Sequence, residues 1–563
     1  MRHLYNECLR TGTFPQVWKK ASIVLIPKEG KHKEPPSAYR PICLLDEAGK
    51  ILERVIAARL VHHLSREGPN LNERQYGFRA GRSTVDAISQ VRSVSQAVTR
   101  EGGVLLTVSL DILNAFNTLP WHRVGEALQY HRVPPYLVSI VANYFRDRQL
   151  AYVDRNAEEQ SGGDIWGEAV APQKIEAVFF HKRKIGAPPK TTITVENTPI
   201  EVGTQIKYLG FHLNGKWTFG EHFRRITPKV DRAAMALCRL LPNLGGPDER
   251  VRRLYAGTVH AMIMYGAPVW AEKLEATRKL KDSLHQLQRR VANRICRGFR
   301  TVSWTAAGVL SGVPPIELLA RMYTEVYKRM CGLQKEGIIV TDSIRRNLRV
   351  HTRRRLIEDW SRKLENPSLP RQRTVGAIKP CLEQRLGRAN RGVTYRMTQV
   401  LTGHGCFGEY LNRIGKERTT RCHHCGYQWD TAQHTLENCV AWAGERVELV
   451  ATIGRDLSLP AIVQKIAGSK KAWKSFSSYC ERVMQQKEKK RDREREGEKR
   501  REWEEGEVVD NNNDEEKESN QHTDGGVPPL FLAPAADNHL SGGGVGGWGG
   551  HAPIISASDI DAG

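Results

Sequence analysis

The order of apolar and polar positions divides the chain near residue 220. Before that point, short apolar runs alternate with glycine-rich and charged turns. From roughly residue 220 to 480 the spacing is mostly helical. The stretch KKASIVLIPKEG (19–30) predicts a short buried strand ended by a polar turn. In DEAGKILERVIAARLVHHL (46–64), Ile51, Leu52, Val55, Ile56, Leu60 and Leu64 share one helical face. QYGFRAGRSTVDAISQV (75–91) reads as a glycine-punctuated loop entering a helix, with Ser83 and Asp86 spaced as a capping box. The run GVLLTVSLDIL (103–113) is apolar without alternation, which predicts a central strand buried on both faces. NAEEQSGGD (156–164) is polar and turn-like, and EAVFFHKRK and KYLGFHL predict two further strands. After Lys487, KEKKRDREREGEKRREWEE is a charge-laced helix or solvated tail, and the glycine-rich end beyond it predicts disorder.

Charge narrows the partners. The 563 residues carry 86 Lys and Arg against 62 Asp and Glu, a net +24. From Lys487 onward there are 10 basic and 18 acidic residues, so the first 486 hold +32. A surplus of that size favours a polyanion, because neutralising nucleic-acid phosphates releases counterions. No apolar run approaches the roughly 20 residues a membrane span needs. The eleven cysteines are scattered and odd in number, which predicts an intracellular, reducing location, nuclear or cytoplasmic, and clustered cysteines that bind metal.

Two clusters carry candidate chemistry. Asp111 ends an apolar strand, where a lone carboxylate is costly unless a cation or hydrogen bonds meet it; Phe116 follows five residues on. Either residue alone is more often a strand cap or a core ring. Further on, Cys422, Cys425, His434 and Cys439 have the spacing C-x2-C-x8-H-x4-C, three thiolates and an imidazole suited to closed, structural, tetrahedral zinc. His423, His424 and Cys406 are alternative ligands. Arg418 and Arg421 precede the cluster, and Tyr427 and Trp429 lie within it, as core residues or as stacking platforms for nucleic acid.

The ordered set KKASIVLIPKEGKHKEPPSAYRPICLLDEAGKILERVIAARL, QYGFRAGRSTVDAI, SLDILNAFNTLPWHRV, IKYLGFHLNGKWTF and TQVLTGHGCFGEYLNR closely resembles the reverse transcriptases of non-LTR (LINE-type) retrotransposons, nearest to the arthropod group that inserts into ribosomal RNA genes. The resemblance implies an α+β right-hand polymerase with an incomplete palm, followed by a mainly helical region with a zinc knuckle. It implies fingers and the start of the palm at 1–104, a truncated palm with a primer-grip-like hairpin at 105–215, a helical thumb and connection at 216–400, the Cys/His region at 401–450, a helical segment at 451–486 and a disordered tail at 487–563. Lys28 and Arg40 match positions that meet the incoming triphosphate, surface charge being the plainer alternative. Gln75, Gly77 and Phe78 match the template–primer loop, Asp111 the first palm aspartate for magnesium, Phe116 the sugar-selecting residue, and Tyr208, Leu209 and Gly210 the hairpin on the primer end. His404 falls in a recurrent family motif, with a satisfied structural histidine as its plainer account.

The implied activity is RNA-directed DNA polymerisation from dNTPs on RNA and DNA, with no membrane and no readable obligate protein partner. Yet the family's Pro-Gln-Gly loop and adjacent aspartate pair have no counterpart, and no Asp-Asp occurs in the chain. The sequence passes from Tyr152 through VDRNAEEQSGGDIWGEAVAPQK into what resembles the segment beyond that hairpin, about a hundred residues short. Glu158, Glu159 and Asp164 lack the apolar alternation of a strand around them and are not expected to substitute. Two-metal phosphoryl transfer needs more than one carboxylate, so the expectation is an inactive polymerase or a non-catalytic RNA- and DNA-binding remnant. The family's preceding endonuclease domain is also expected to be missing.

Overall fold

A computed structural model describes residues 1–27, 38–65, 71–111, 119–153, 159–162, 175–182, 188–195, 197–368, 372–387 and 392–515. The chain forms two compact units that meet between Thr218 and Phe219.

In the first unit, α1 (Arg2–Thr11) leads into β1 (Lys20–Pro27) and β2 (Tyr39–Leu44), an antiparallel pair. Asp46 caps α2 (Glu47–Leu64) by accepting from the N–H groups of Ala48 and Gly49. The capping box read from Ser83 and Asp86 opens α3 (Thr84–Arg100), with both reciprocal bonds made. Next come β3 (Leu105–Ser109), α4 (Trp121–Tyr130), α5 (Pro135–Phe145), β4 (Gln149–Val153), β5 (Glu159–Gly162), β6 (Glu176–Phe180), β7 (Thr192–Val195), β8 (Thr198–Gly203), β9 (Gln205–Tyr208) and β10 (Phe211–Asn214). The strands make two four-stranded sheets, β2-β1-β4-β5 and β3-β6-β8-β7, and the hairpin β9-β10. A helical core of Tyr5, Leu9, Phe14, Leu52, Ile56, Leu137 and Ile140 holds α1, α2 and α5 together.

Two strand expectations need correction on burial. β1 forms, but Val24, Leu25 and Ile26 are 43%, 57% and 39% exposed rather than buried. The run at 103–113 gives an edge strand, not a central one: β3 ends its sheet and has β6 as its one partner among the described residues. Apolar content reports that a strand can be covered on both faces; neighbours decide whether it is. α4 is equally uncovered, an amphipathic helix with no fully buried residue. Trp121, Val124 and Leu128 face Val138, Val141 and Phe145 of α5 across an apolar groove of about 340 Å³.

The second unit is helical: α6 (Gly220–Arg239), α7 (Glu249–Met264), α8 (Ala267–Ala276), α9 (Arg278–Ile295), α10 (Trp304–Ser311), α11 (Ile316–Lys335), α12 (Asp342–Lys363), α13 (Gln372–Ile378), α14 (Leu382–Gly387), α15 (Tyr395–Thr402), α16 (Gly408–Arg413), α17 (Ala432–Glu437), α18 (Ala443–Ile453), α19 (Leu459–Gly468) and α20 (Lys470–Glu515). One contiguous core runs from Cys296 and Trp360 through Met397 and Phe407 to Phe476, Tyr479 and Met484. Arg252, fully buried, is held by the carbonyl oxygens of Leu241, Pro242, Gly245, Pro247 and Arg294, so its charge is met by five dipoles. α20 passes straight through residue 487, where the sequence predicted a domain end. Lys487 is only 3% exposed. A charge run reads as solvated until tertiary packing supplies a buried partner, and here Asp430 does so.

Candidate metal centre and nucleic-acid site

The polymerase-like residues lie in the first unit. Asp111 stands exposed two residues beyond the end of β3. β3 pairs with β6 over its whole length, from Leu105 opposite Phe180 to Ser109 opposite Glu176. Arg40 is exposed on β2 opposite Ile26. Lys28, Phe116, Glu158 and Asp164 lie outside the described residues. Glu159 opens β5 opposite Val153, in the sheet of β1 and not that of Asp111.

The two segments expected to meet template and primer carry tyrosines that sense each other: burial raises the Tyr208 phenol pKa, and Tyr76 raises it further. The hairpin turns on Leu209 and Gly210 with φ of 47° and 85°, and Tyr208 pairs with Phe211 across it. Two positive φ values fit a two-residue type I′ turn, and a bulky Leu there is strained by roughly 1–3 kcal/mol. Phe78 has the same character, with φ 55° and 87% exposure, while Gln75 Nε2 donates to the Gly77 carbonyl at 3.1 Å. Leu209 and Phe78 thus hold a costly backbone conformation while exposed, at 40% and 87%, with no burial to repay it. Gly215 fixes the hairpin against β6: a Cβ there would lie 2.1 Å from the Phe179 carbonyl oxygen.

The second unit brings the four predicted metal ligands together. Cys422 Sγ and Cys439 Sγ are 3.9 Å apart, Cys425 Sγ and His434 Nε2 3.3 Å apart, and all four atoms lie within 4.8 Å of one another. A tetrahedron with ordinary Zn–S and Zn–N bonds has S–S and S–N edges of about 3.8 and 3.6 Å, so the donor set fits. It is the one group of three or more metal-ligating side chains among the described residues. Local structure explains the convergence. The Cys422 N–H donates to the Tyr427 carbonyl and the Gly426 N–H to the Cys422 carbonyl, closing a tight turn around the first Cys pair. Thr431 caps α17 through the His434 N–H at 2.9 Å, aiming the imidazole back at that turn.

Burial pushes the Cys439 thiol up to about 12 and raises Cys422, while burial lowers His434 and keeps its imidazole neutral. Cys422 and Cys439 would hold a dication as thiolates, its charge offsetting the burial penalty on both. The alternative ligands are engaged elsewhere. His423 lies 3.4 Å from Glu494, His424 packs on Trp442 and Cys406 faces the Arg491 guanidinium at 3.7 Å. His404 is buried edge-on to Tyr410 with ring centroids 4.8 Å apart.

Two features were not legible in the sequence. Lys487 Nζ reaches both Asp430 oxygens at 2.8 and 2.9 Å and Thr435 Oγ1 at 3.3 Å, clamping α20 onto the metal loop. Tyr427 and Trp429 are 56% and 50% exposed, which settles the open choice between core and surface.

Residues 26–173 match the family described as reverse transcriptase (RNA-dependent DNA polymerase). The chain is 27% identical over 519 positions to the putative 115 kDa protein in type-1 retrotransposable element R1DM of Drosophila melanogaster, covering 79% of this chain and 49% of that protein. It is 24% identical over 515 positions to the retrovirus-related Pol polyprotein from type-1 retrotransposable element R1 of Bradysia coprophila, covering 77% and 50%. The RNA-directed DNA polymerase from mobile element jockey of D. melanogaster is 32% identical over 148 residues, covering 26% and 16%. The chain is a homologue of the non-LTR retrotransposon reverse transcriptases. It spans about half the length of the two R1 relatives. The R1DM alignment takes in 79% of 563 residues, about 445, so some 75 of its 519 positions lie opposite no residue of this chain. Among the described residues, no helix of the homologue is long and apolar enough to cross a membrane.

Proposed function

We propose that this reverse transcriptase homologue binds RNA and DNA through its basic surfaces and a structural zinc module, and that its palm does not assemble a polymerase centre. The observation that carries this reading is the direct pairing of β3 with β6. By the resemblance, the hairpin with the aspartate pair belongs between the strand of Asp111 and the segment that β6 represents. Here β6 lies against β3 along its full length, and the Ser109 position faces Glu176. The Glu176 carboxylate is itself engaged, accepting from the backbone N–H of Lys207. The uncovered apolar run of β3, the open face of α4 and the roughly 75 unmatched alignment positions all support an internal deletion from a larger palm.

Two divalent ions set about 4 Å apart are needed to steady the attacking and leaving oxygens of nucleotidyl transfer. Asp111 can offer a magnesium ion one carboxylate, which is insufficient for that geometry. Cys422, Cys425, His434 and Cys439 would hold zinc with no open position, so its contribution is order rather than chemistry. Arg40, the 75–78 loop and the Tyr208–Gly210 turn remain displayed and keep the character of a strand-binding surface.

The test is primer extension on an RNA template with magnesium and with manganese. No incorporation is expected; incorporation that disappears in Asp111→Ala would overturn the reading. Sequencing the transcript across Tyr152–Ala171 is the companion measurement, since recovery of a Pro-Gln-Gly loop and an aspartate pair would restore the polymerase.

A further inference from the structure

The metal loop carries a surface that its ligands alone do not require. Backbone bonds hold residues 427–430 against 420–422: the Asp430 N–H donates to the Thr420 carbonyl, the Cys422 N–H to the Tyr427 carbonyl, and Thr420 Oγ1 to the Gln428 carbonyl at 2.8 Å. Asp430 turns into the core, 3% exposed, on Lys487. The chain bends at Gln428, and Tyr427 and Trp429 on either side of it are each about half exposed.

The Tyr427 ring and the Trp429 backbone are both held in place. Tyr427 lies flat on the His434 imidazole, with centroids 4.8 Å apart and 15° between planes, so one face is fixed by a metal ligand and the other is open. Trp429 is anchored by backbone bonds on both sides, the Asp430 N–H to Thr420 and the Thr431 N–H to the Trp429 carbonyl. Leaving two large rings half wet forgoes roughly 1 kcal/mol of burial apiece, and a hydrophobic core lies close by.

The chain just before the rings carries cations. Arg413, Lys416, Arg418 and Arg421 are exposed, Arg413 lying over the Tyr410 ring with 5.3 Å to its centroid, and no ion pair to a carboxylate holds any of the four among the described residues. Arg421 Nε is tied to the Gly426 carbonyl at 2.9 Å, which holds the guanidinium at the tip of the loop beside Tyr427. Glu417, the acidic residue among these four, is turned toward His423 at 3.8 Å.

Open rings two residues apart, on a loop that follows four exposed cations, match the chemistry of a strand whose bases are unstacked: rings for bases, guanidinium and ammonium groups for phosphates. A duplex keeps its bases inside and offers the rings nothing. We propose that Tyr427 and Trp429 form a stacking platform for an unpaired nucleic-acid strand, with Arg413, Lys416, Arg418 and Arg421 contacting its phosphates. This rests on the reading of the zinc module as nucleic-acid binding, and it names the form of nucleic acid bound.

The test uses the zinc-loaded full chain with labelled oligo-U and oligo-dT of about 20 nucleotides and a duplex of equal length, at one salt concentration. Stacking contributes roughly 1–3 kcal/mol per base, so Tyr427→Ala with Trp429→Ala should weaken both single strands at least tenfold and leave the duplex within about twofold. Tyr427→Phe with Trp429→Phe should restore most of the affinity, and zinc content should be the same in all variants. Quenching of fluorescence by oligo-U should shrink in Trp429→Phe alone. Unchanged single-strand affinity in the double Ala variant, or an equal loss on duplex, would overturn the platform while leaving nucleic-acid binding intact. Failure of the unmodified protein to bind any of the three probes would remove both readings. An oligo-dT response as strong as oligo-U is an expected result, because rings and cations do not read the 2′-hydroxyl.

Discussion

Replacing Lys487 by Met tests whether α20 belongs to the metal module or to the tail. Lys487 and Asp430 are each 3% exposed, and the ammonium contacts both carboxylate oxygens at 2.8 and 2.9 Å. Without Lys487, Asp430 keeps one short-range donor, the Gly408 N–H at 3.0 Å. Breaking a buried pair from one side costs about 3–5 kcal/mol, because the remaining charge stays out of water. Met fills much of the same volume beside the Phe407 ring, which lies 5.2 Å from the ammonium, so the loss should come from charge and not from a cavity. The assay is a urea titration of the zinc-loaded chain that follows zinc release. The midpoint should fall by the equivalent of about 3 kcal/mol or more. Asp430→Asn combined with Lys487→Met should cost less than Lys487→Met alone, since no bare charge remains. A chain ending at residue 486 should lose more than the Lys487 variant, because the Glu488 pair with Arg396 and the Arg491 contact with Cys406 go with it, and one ending at 515 should behave like the full chain. A shift below about 1 kcal/mol, or equal losses in the single and double variants, would refute the clamp.

Elemental analysis of reduced protein should find about one zinc per chain, lost in Cys422→Ser with Cys425→Ser; folded protein without zinc would contradict the donor geometry. Acid should destabilise the second unit between about pH 6.5 and 4. Burial holds His260 at about 4, and burial with the nearby Lys363 ammonium holds His285 at about 4. Below the ordinary value of about 6.5 the unfolded chain takes up protons that these folded residues refuse, so stability falls by at most about 1.4 kcal/mol per pH unit for each. His285→Gln should flatten that slope, because neutral His285 donates from Nε2 to Glu317 at 2.7 Å and Gln carries no titrating group; an unchanged slope would remove His285 from the account.

Much of the candidate site was legible one residue at a time. The capping box of Ser83 and Asp86, the hairpin around Leu209 and Gly210 and the four metal ligands all depend on contacts a few residues apart, or on chemistry confined to one loop. Local spacing determines those, and the structure has each in place. The family likeness was legible too, because ordered motifs survive in the order of the letters. What failed were several inferences from composition to environment. The apolar letters of β1 and β3 implied burial, but burial depends on what lies across the sheet, and there the neighbours are few. The charged letters after residue 486 implied solvent, but Lys487 is buried by a carboxylate 57 residues earlier in the chain. Tyr427 and Trp429 could by their letters have been core or surface, and they stand about half exposed. The sequence determined which groups are available and how the backbone turns between them. Tertiary structure alone decided which were desolvated, since that depends on partners distant in the chain.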